Sequence, residues 1–452
     1  MKMHRGTCVA AILLALVVAV IPADTGDGGE FGEGFGSGFS NDLGFDSFGG
    51  AGAGPEISGV LKLVNRFFPD IDNPAVSEFD AWPELNLRLG AENDHGSFAV
   101  ELAFDNDLLN QPIREASVRF FAGPVTMEIG LLRRVWGKGD ALHVVDVLNS
   151  TDHTDLGSSG YLDSRIAVPM VVLEVPFRRQ GLLEVAYLPV LVPDRIPADG
   201  RWAPAEYTNL LALTAAGVTL AGPPTGTTLD AAQVGVRLTD TFGPVDLGLV
   251  YYYGYLKQPS VDLTAFIPIP VLSGTITLDY DRIHVAGGEA AAAVGPLNLR
   301  AEAAYYATAD TDGNDPAASN SSVRYLAGFD VDIPVNNLNL NAQVLGSVLL
   351  SSAKIDGNGP VDFEYDPDGV YTSHLIAASL RDTYSGERFT VELGGAWYVE
   401  TGDFVVRPAL TVGFGDVLTM RLGGTLFAGD ADTFLGQYDG NDFLELELVY
   451  DY

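Results

Sequence analysis

The chain has 452 residues, 60 of them acidic and only 25 basic, for a net charge of −35 at neutral pH. That balance excludes nucleic acid and an anionic membrane surface as partners. The single cysteine, Cys8, lies in the first apolar run, so a chain trimmed after that run has no thiol for disulfides, metal or nucleophilic chemistry.

Residues 1–23 begin with the basic Lys2, His4 and Arg5, continue through an apolar run from about Cys8 to Ile21, and reach Pro22 and Ala23. The run is shorter than the roughly 20 residues that span a bilayer, so a secretory signal peptide cleaved near Ala23 is expected. Its removal leaves 23 basic residues, with lysine only at Lys62, Lys138, Lys257 and Lys354. Residues 24–55 are rich in Gly, with isolated Phe31, Phe35, Phe39, Phe45 and Phe48, which reads as a flexible tether.

From residue 56 to 452 one unit repeats: strand, tight turn, strand, long polar loop. Tight turns are expected near Asn93, Ala122, Arg178, Phe242, Val294, Ser385 and Gly415, where Gly, Asn or Asp supply positive φ and Pro starts the next edge. The intervening loops are long and rich in Asp, Asn, Gly and Pro. The apolar stretch 210–220 in one of them has the makings of a short helix at the mouth. Inside the strands the period is two: Phe98, Val100, Leu102 and Phe104 alternate with Ala99, Glu101 and Ala103. Short turns at one end and long loops at the other predict an all-β fold, a transmembrane antiparallel up-and-down β-barrel of about 18 strands, with 16 or 14 the next counts. The chain ends "NDFLELELVYDY", in which Leu444, Leu446, Leu448 and Tyr450 alternate with Glu445, Glu447 and Asp451.

On those residues the chain resembles bacterial outer-membrane channel proteins, whose last strand carries alternating apolar residues before a terminal aromatic, here Tyr452. The resemblance implies outer-membrane lipid as surroundings and recognition by the barrel assembly machinery through that strand. A second stretch, "GLLRRVWGKGDALHVVDVLNSTDHTDL", looks like a segment of the outer-membrane barrels of the DUF1302 kind. Arg133 or Arg134, Trp136, Gly137, Asn149 and Asp152 match in order, with Ser150 standing where that family has Pro.

Alternation turns Arg88, Arg119, Arg237, Arg300, Arg388, Arg407 and Arg421 inward, with Glu101, Glu128, Glu302, Glu392, Glu445 and Glu447. These are the expected pore-lining residues. Arg388, Arg407 and Arg421 are expected on three consecutive strands, where they would form one wall and attract anions. The bland alternative for all of these charges is a network of structural ion pairs. His143 and His153 share a loop without the spacing of metal ligands, and no cofactor or catalytic set is expected. The loop from Val135 to Val168 carries Trp136, Val144, Val145, Val147 and Leu148, which are unsuited to free solvation, so it is expected to fold into or over the lumen. Together these readings imply an outer-membrane channel for passive passage of small solutes. The alternatives are a fatty-acid-type transporter of hydrophobic solutes and a surface adhesion or structural barrel.

Overall fold

The computed structural model describes residues 55–69, 77–105, 112–140, 142–157, 162–222, 229–267 and 271–452. The expected signal peptide and all of the tether except Pro55 lie outside these residues. β1 (Glu56–Phe68), β2 (Glu78–Asn93), β3 (Gly96–Phe104), β4 (Ile113–Ala122), β5 (Val125–Leu132) and β6 (Val168–Phe177) open one sheet. β7 (Gly181–Leu188), β8 (Gln233–Phe242), β9 (Val245–Tyr255), β10 (Arg282–Val294), β11 (Leu297–Thr308) and β12 (Ser322–Ile333) continue it. β13 (Leu338–Leu349), β14 (Thr372–Tyr384), β15 (Phe389–Tyr398), β16 (Phe404–Gly413), β17 (Leu418–Ala428) and β18 (Phe443–Asp451) complete it.

Each strand pairs antiparallel with its neighbours in sequence, and β18 returns to β1 in register from Val60↔Asp451 to Phe67↔Leu444. The sheet is therefore a closed 18-stranded barrel, as the alternation predicted. Beyond the ladder, the Gly59 and Tyr452 amides exchange bonds with each other's carbonyls at 3.1 and 3.0 Å, so the last residue helps seal the seam.

The eight tight turns lie at one end with the two ends of the barrel domain; the strand ends joined by the nine other connections, from the short 399–403 to the long 189–232, lie at the other. In the turn 334–337 Asn336 takes the positive φ of 53° that glycine supplies at 123, 243, 295 and 415. The long loops carry α1 (Ala205–Ala215), which meets the stretch 210–220 expected to be helical only over 210–215, since 219–221 are extended, and α2 (Ser352–Asn358), in a segment read as plain loop. A small sheet joins 219–221, 260–262 and 266–267 to 273–279.

The pleat sorts the side chains. Phe98, Leu247, Leu249, Tyr251, Tyr253, Leu393 and Trp397 are exposed on the outer wall, while Ala99, Glu101, Val250, Tyr252 and Glu392 are buried on the inner one. An apolar outer surface with aromatic residues toward its edges is the surface of a membrane-spanning barrel. Among the described residues no helix is long and apolar enough to cross a membrane; the strands do so.

Closure through β18 makes a direct prediction. Deleting residues 449–452 removes the pairs of Lys62, Leu61 and Val60 with β18 and reopens an edge at the seam. The truncated protein is expected to lose heat-modifiable mobility in gels and recovery from the membrane. Wild-type mobility and recovery would show that the seam is held elsewhere.

Candidate functional site: a loop pinned across the barrel lumen

Between β5 and β6 the chain leaves the wall at Arg133 and returns at Ala167. One asparagine ties the two legs: Asn149 Nδ2 donates to the carbonyls of Leu132 (2.7 Å) and Ile166 (2.9 Å), and its Oδ1 accepts the Arg134 amide (2.7 Å). Asp146 accepts the Trp136 amide and pairs with Arg165 at 2.7 Å. Asp152 pairs with Arg195 at 2.7 Å, joining this loop to the loop 189–232.

The loop's apolar residues turn into the barrel. Trp136, Val144, Val145 and Leu148 are fully buried against Met170, Val172, Leu188, Tyr252, Val285 and Tyr306 on the inner faces of β6, β7 and β9–β11. Burial of side chains of this size contributes roughly 1.5–3 kcal/mol each, enough to hold a long loop off the solvent. The wall leaves room where the loop comes close. A Cβ at Gly235 of β8 would stand 2.7 Å from the Trp136 ring, and one at Gly287 of β10 would stand 3.0 Å from Val145.

Glu302 of β11 fixes the innermost turn. Its Oε1 accepts the amides of Lys138 (2.7 Å) and Gly139 (2.8 Å), and its Oε2 those of Val144 (2.6 Å) and Val145 (3.1 Å). The ring of His143 stands 3.4 Å away. Gly137, at φ 121°, lets the chain pass where any side chain would strike Glu302. Asp140 then reaches Arg300 at 2.5 Å, which also pairs with Asp330 at 2.5 Å, while Asn341 donates to the same Asp140.

The loop is held on the far wall too. Asp155 receives two hydrogen bonds from Arg66 Nη1 on β1 (2.9 and 2.7 Å), and the Leu156 carbonyl accepts one from Arg407 on β16 at 2.6 Å. Arg66 also pairs with Glu445 at 2.5 Å. The loop therefore runs from β11 to β1 and β16, across the lumen. This is the inward folding expected from its apolar content.

Twelve of the thirteen residues expected to line a pore stand on barrel strands, and most are ion-paired. Glu101 lies opposite Glu115, a like-charge pair that Arg133 bridges at 2.9 and 3.2 Å. Arg119 and Arg134 share Glu128, and Arg237 joins Glu184 (3.0 Å) to Glu289 (2.6 Å). Arg88 stands opposite Glu101 in the ladder. Arg388 is a correction. It lies in the tight turn 385–388, exposed over the Phe389 ring, because the hairpin needs four residues there and ends the strand early. The expected three-arginine wall does not form. Arg381 of β14 stands opposite Glu392 instead, with Arg421 opposite Glu447. Arg66, Glu115, Asp140, Asp155, Glu184 and Glu289 were missed by sequence reasoning; only inward parity within a strand marks some of them. His143 faces Glu302 and His153 faces Asp194, and among the described residues no three metal-ligating side chains are grouped.

The mouth is gathered by carboxylates. Glu364 accepts the Asn320 amide at 2.9 Å, and Asp281 accepts that of Ser319 at 2.8 Å, so three loops meet there. Burial, with Asp362 and Asp281 nearby, pushes the Glu364 carboxyl up to about 7 against the opposing pull of the Asn320 amide. Nearby, Lys257 Nζ donates to Gln233 (2.8 Å) and the Tyr252 hydroxyl (3.2 Å), and burial brings its ammonium down to about 7.

No family model matches the chain, and no curated protein matches it. Among solved structures it is similar to OccK11 (OpdR) of Pseudomonas aeruginosa at 8% identity and a TM-score of 0.46, covering 88% of this chain and 95% of that one. It is similar to OccAB4 of Acinetobacter baumannii at 11% and 0.45, covering 88% and 97%. A mutant porin of Rhodopseudomonas blastica follows at 10% and 0.39, covering 88% and 100%. Likeness at this level says nothing about the solute.

Two outcomes are expected. Glu302→Ala leaves four buried amides without an acceptor, at a cost of roughly 3–5 kcal/mol to the folded loop. Trypsin added from the loop side should then cut at Lys138, which the wild-type loop protects. Equal cutting rates would mean Glu302 does not hold the loop. The second concerns pH. The Glu364 value in the folded mouth lies above the ordinary one, so its contribution is full below about 4.5 and is lost as pH rises through about 7. Amide exchange over 309–321 and 350–371, corrected for the intrinsic rate, should be slower at pH 5 than at pH 8, and Glu364→Gln should erase the difference.

Proposed function

We propose that this protein is an outer-membrane channel for passive passage of small solutes, with loop 133–167 as its constriction. The observation that carries the reading is the loop held at both sides of the lumen. Its apolar side packs on β6, β7 and β9–β11, and in this reading the solute passes the inward charges of β14, β15, β17 and β18. The ion pairs along the lumen differ in length. Arg300 and Arg66 hold the loop at 2.5 and 2.7 Å. On the opposite wall Arg421 stands 3.4 Å from Glu445 and 3.8 Å from Glu447, and Glu392 feels both Arg421 and Arg381. Such loosely paired charges of both signs produce a transverse field that orients a solute as it passes.

The last strand, with its outward apolar set ending at Tyr452, is the element the assembly machinery would read. The matched motif residues Arg134, Trp136, Gly137, Asn149 and Asp152 all anchor the loop or let it pass. The fatty-acid-type reading draws on one feature, the pairs missing from the β16–β17 ladder between Val406↔Leu426 and Ala409↔Gly423, where Pro408 has no amide to give.

Planar-bilayer recording tests the proposal. Replacing Arg381 and Arg421 together by Glu should move the reversal potential in a salt gradient toward cation selectivity. The effect should shrink in concentrated salt as screening shortens the field. An unchanged reversal potential in a folded, conducting variant would place the passage elsewhere, and a wild-type barrel that never conducts would remove the channel reading.

A further inference from the structure

The outer wall of β8–β11 is not evenly covered. Leu238, Phe242, Leu247 and Leu249 stand out from it, with Leu249 65% exposed, while the neighbouring outward positions are Gly288, Ala290, Ala301 and Ala303. A Cβ at Gly288 would meet only the Gly248 carbonyl at 3.3 Å and Leu249 at 3.8 Å. The result is a largely apolar groove of about 640 Å³ that opens to the lipid and runs to the tight-turn end, where Phe177, Arg178 and Asp240 line it.

That turn is unusual for this chain. Among the eight tight turns, 178–180 is the one with a net positive charge, from the adjacent Arg178 and Arg179. Arg178 holds a φ of 53° and is 70% exposed, with one hydrogen bond to Asp240 at 3.2 Å. Arg179 is exposed as well. Phe242 beside them sits at the depth where aromatic residues mark the membrane boundary. An apolar slot with Arg178 at its end and Arg179 next to it in the exposed turn matches a molecule that is a hydrocarbon chain with an anion at its head. A second copy of this chain fits less well, since each copy carries −35 and would bring the same two arginines to the contact.

We propose that this groove holds one phospholipid of the periplasmic leaflet, its acyl chain over Gly288, Ala290, Ala301 and Ala303 and its phosphate on Arg178 and Arg179. The proposal rests on the membrane-spanning reading but on no particular solute. The lumen charges play no part in it, so its failure leaves the channel reading standing.

Native mass spectrometry of the full chain in neutral detergent provides the test, with dioleoyl phosphatidylglycerol, dioleoyl phosphatidylcholine and inorganic phosphate as probes. One phosphatidylglycerol should remain on the wild-type barrel, in preference to the choline lipid, and inorganic phosphate should not displace it. Ala303→Phe, which fills the groove, and the double variant Arg178→Glu, Arg179→Glu should each lower retention about tenfold. Heat-modifiable mobility confirms that each variant is folded, and Ala301→Leu replaces Ala303→Phe if the latter is not. Retention unchanged in the folded variants, equal retention of the two lipids, or displacement by phosphate would overturn the site. So would a wild-type oligomer that the filling variant dissociates, since the face would then be a contact between copies.

Discussion

In the hydrocarbon of a bilayer an unpaired backbone amide has no water to turn to, and each one left open costs several kcal/mol. The rest of this structure follows from that constraint. Eighteen strands pair in sequence order and the last returns to the first, so the sheet has no edge. Once the sheet is closed, the pleat leaves each side chain only two destinations, lipid or lumen. Leu249 and Tyr251 go to one and Val250 and Tyr252 to the other, through nothing more than parity.

The lumen in turn decides where the scarce basic residues go. In a chain with 60 acids, an arginine facing inward finds carboxylates on neighbouring strands, and pairing is what makes their joint burial tolerable. The loop 133–167 uses this same supply. It contributes Arg133, Arg134, Asp140 and Asp155 to pairs whose other halves are Glu101, Glu128, Arg300 and Arg66 on the wall. Glu302 does the same with backbone amides, taking four N–H groups that a turn inside an apolar cluster would otherwise leave unmet. The ion pairs and amides thus set the loop's position, while Trp136 and the valines supply the driving force that keeps it inside.

Small residues record where something comes close. Gly235 and Gly287 make room on the inner wall for Trp136 and Val145, and Gly137 makes room for Glu302. On the outer wall, Gly288 has no such neighbour and the space beside it stays open. A glycine in a strand is therefore informative only with its partner in view, which is why Gly235, Gly287 and Gly288 carried no meaning in the sequence alone.

Strand identity, seven of the eight tight turns, the direction of the loops and the burial of Trp136 were legible in the sequence, because each rests on local information; the turn 334–337, which has no glycine, was not among those expected. A period of two needs only a few residues, and a tight turn needs only Gly, Asn or Pro in place. The one misplacement among the charges, Arg388, came at a turn whose length parity could not supply. Contacts between distant segments were not legible. Nothing near Lys138 or Val144 points to Glu302 more than 150 residues away, and nothing near Asp155 points to Arg66 or Arg407. The sequence by itself determined a closed barrel with an apolar outside and a charged inside, since alternation and turn chemistry act between neighbours. Which inward charges hold the loop and which pair only with the wall was decided only by the tertiary structure. Pairing across a lumen depends on which strands closure sets face to face, and no short-range pattern carries that.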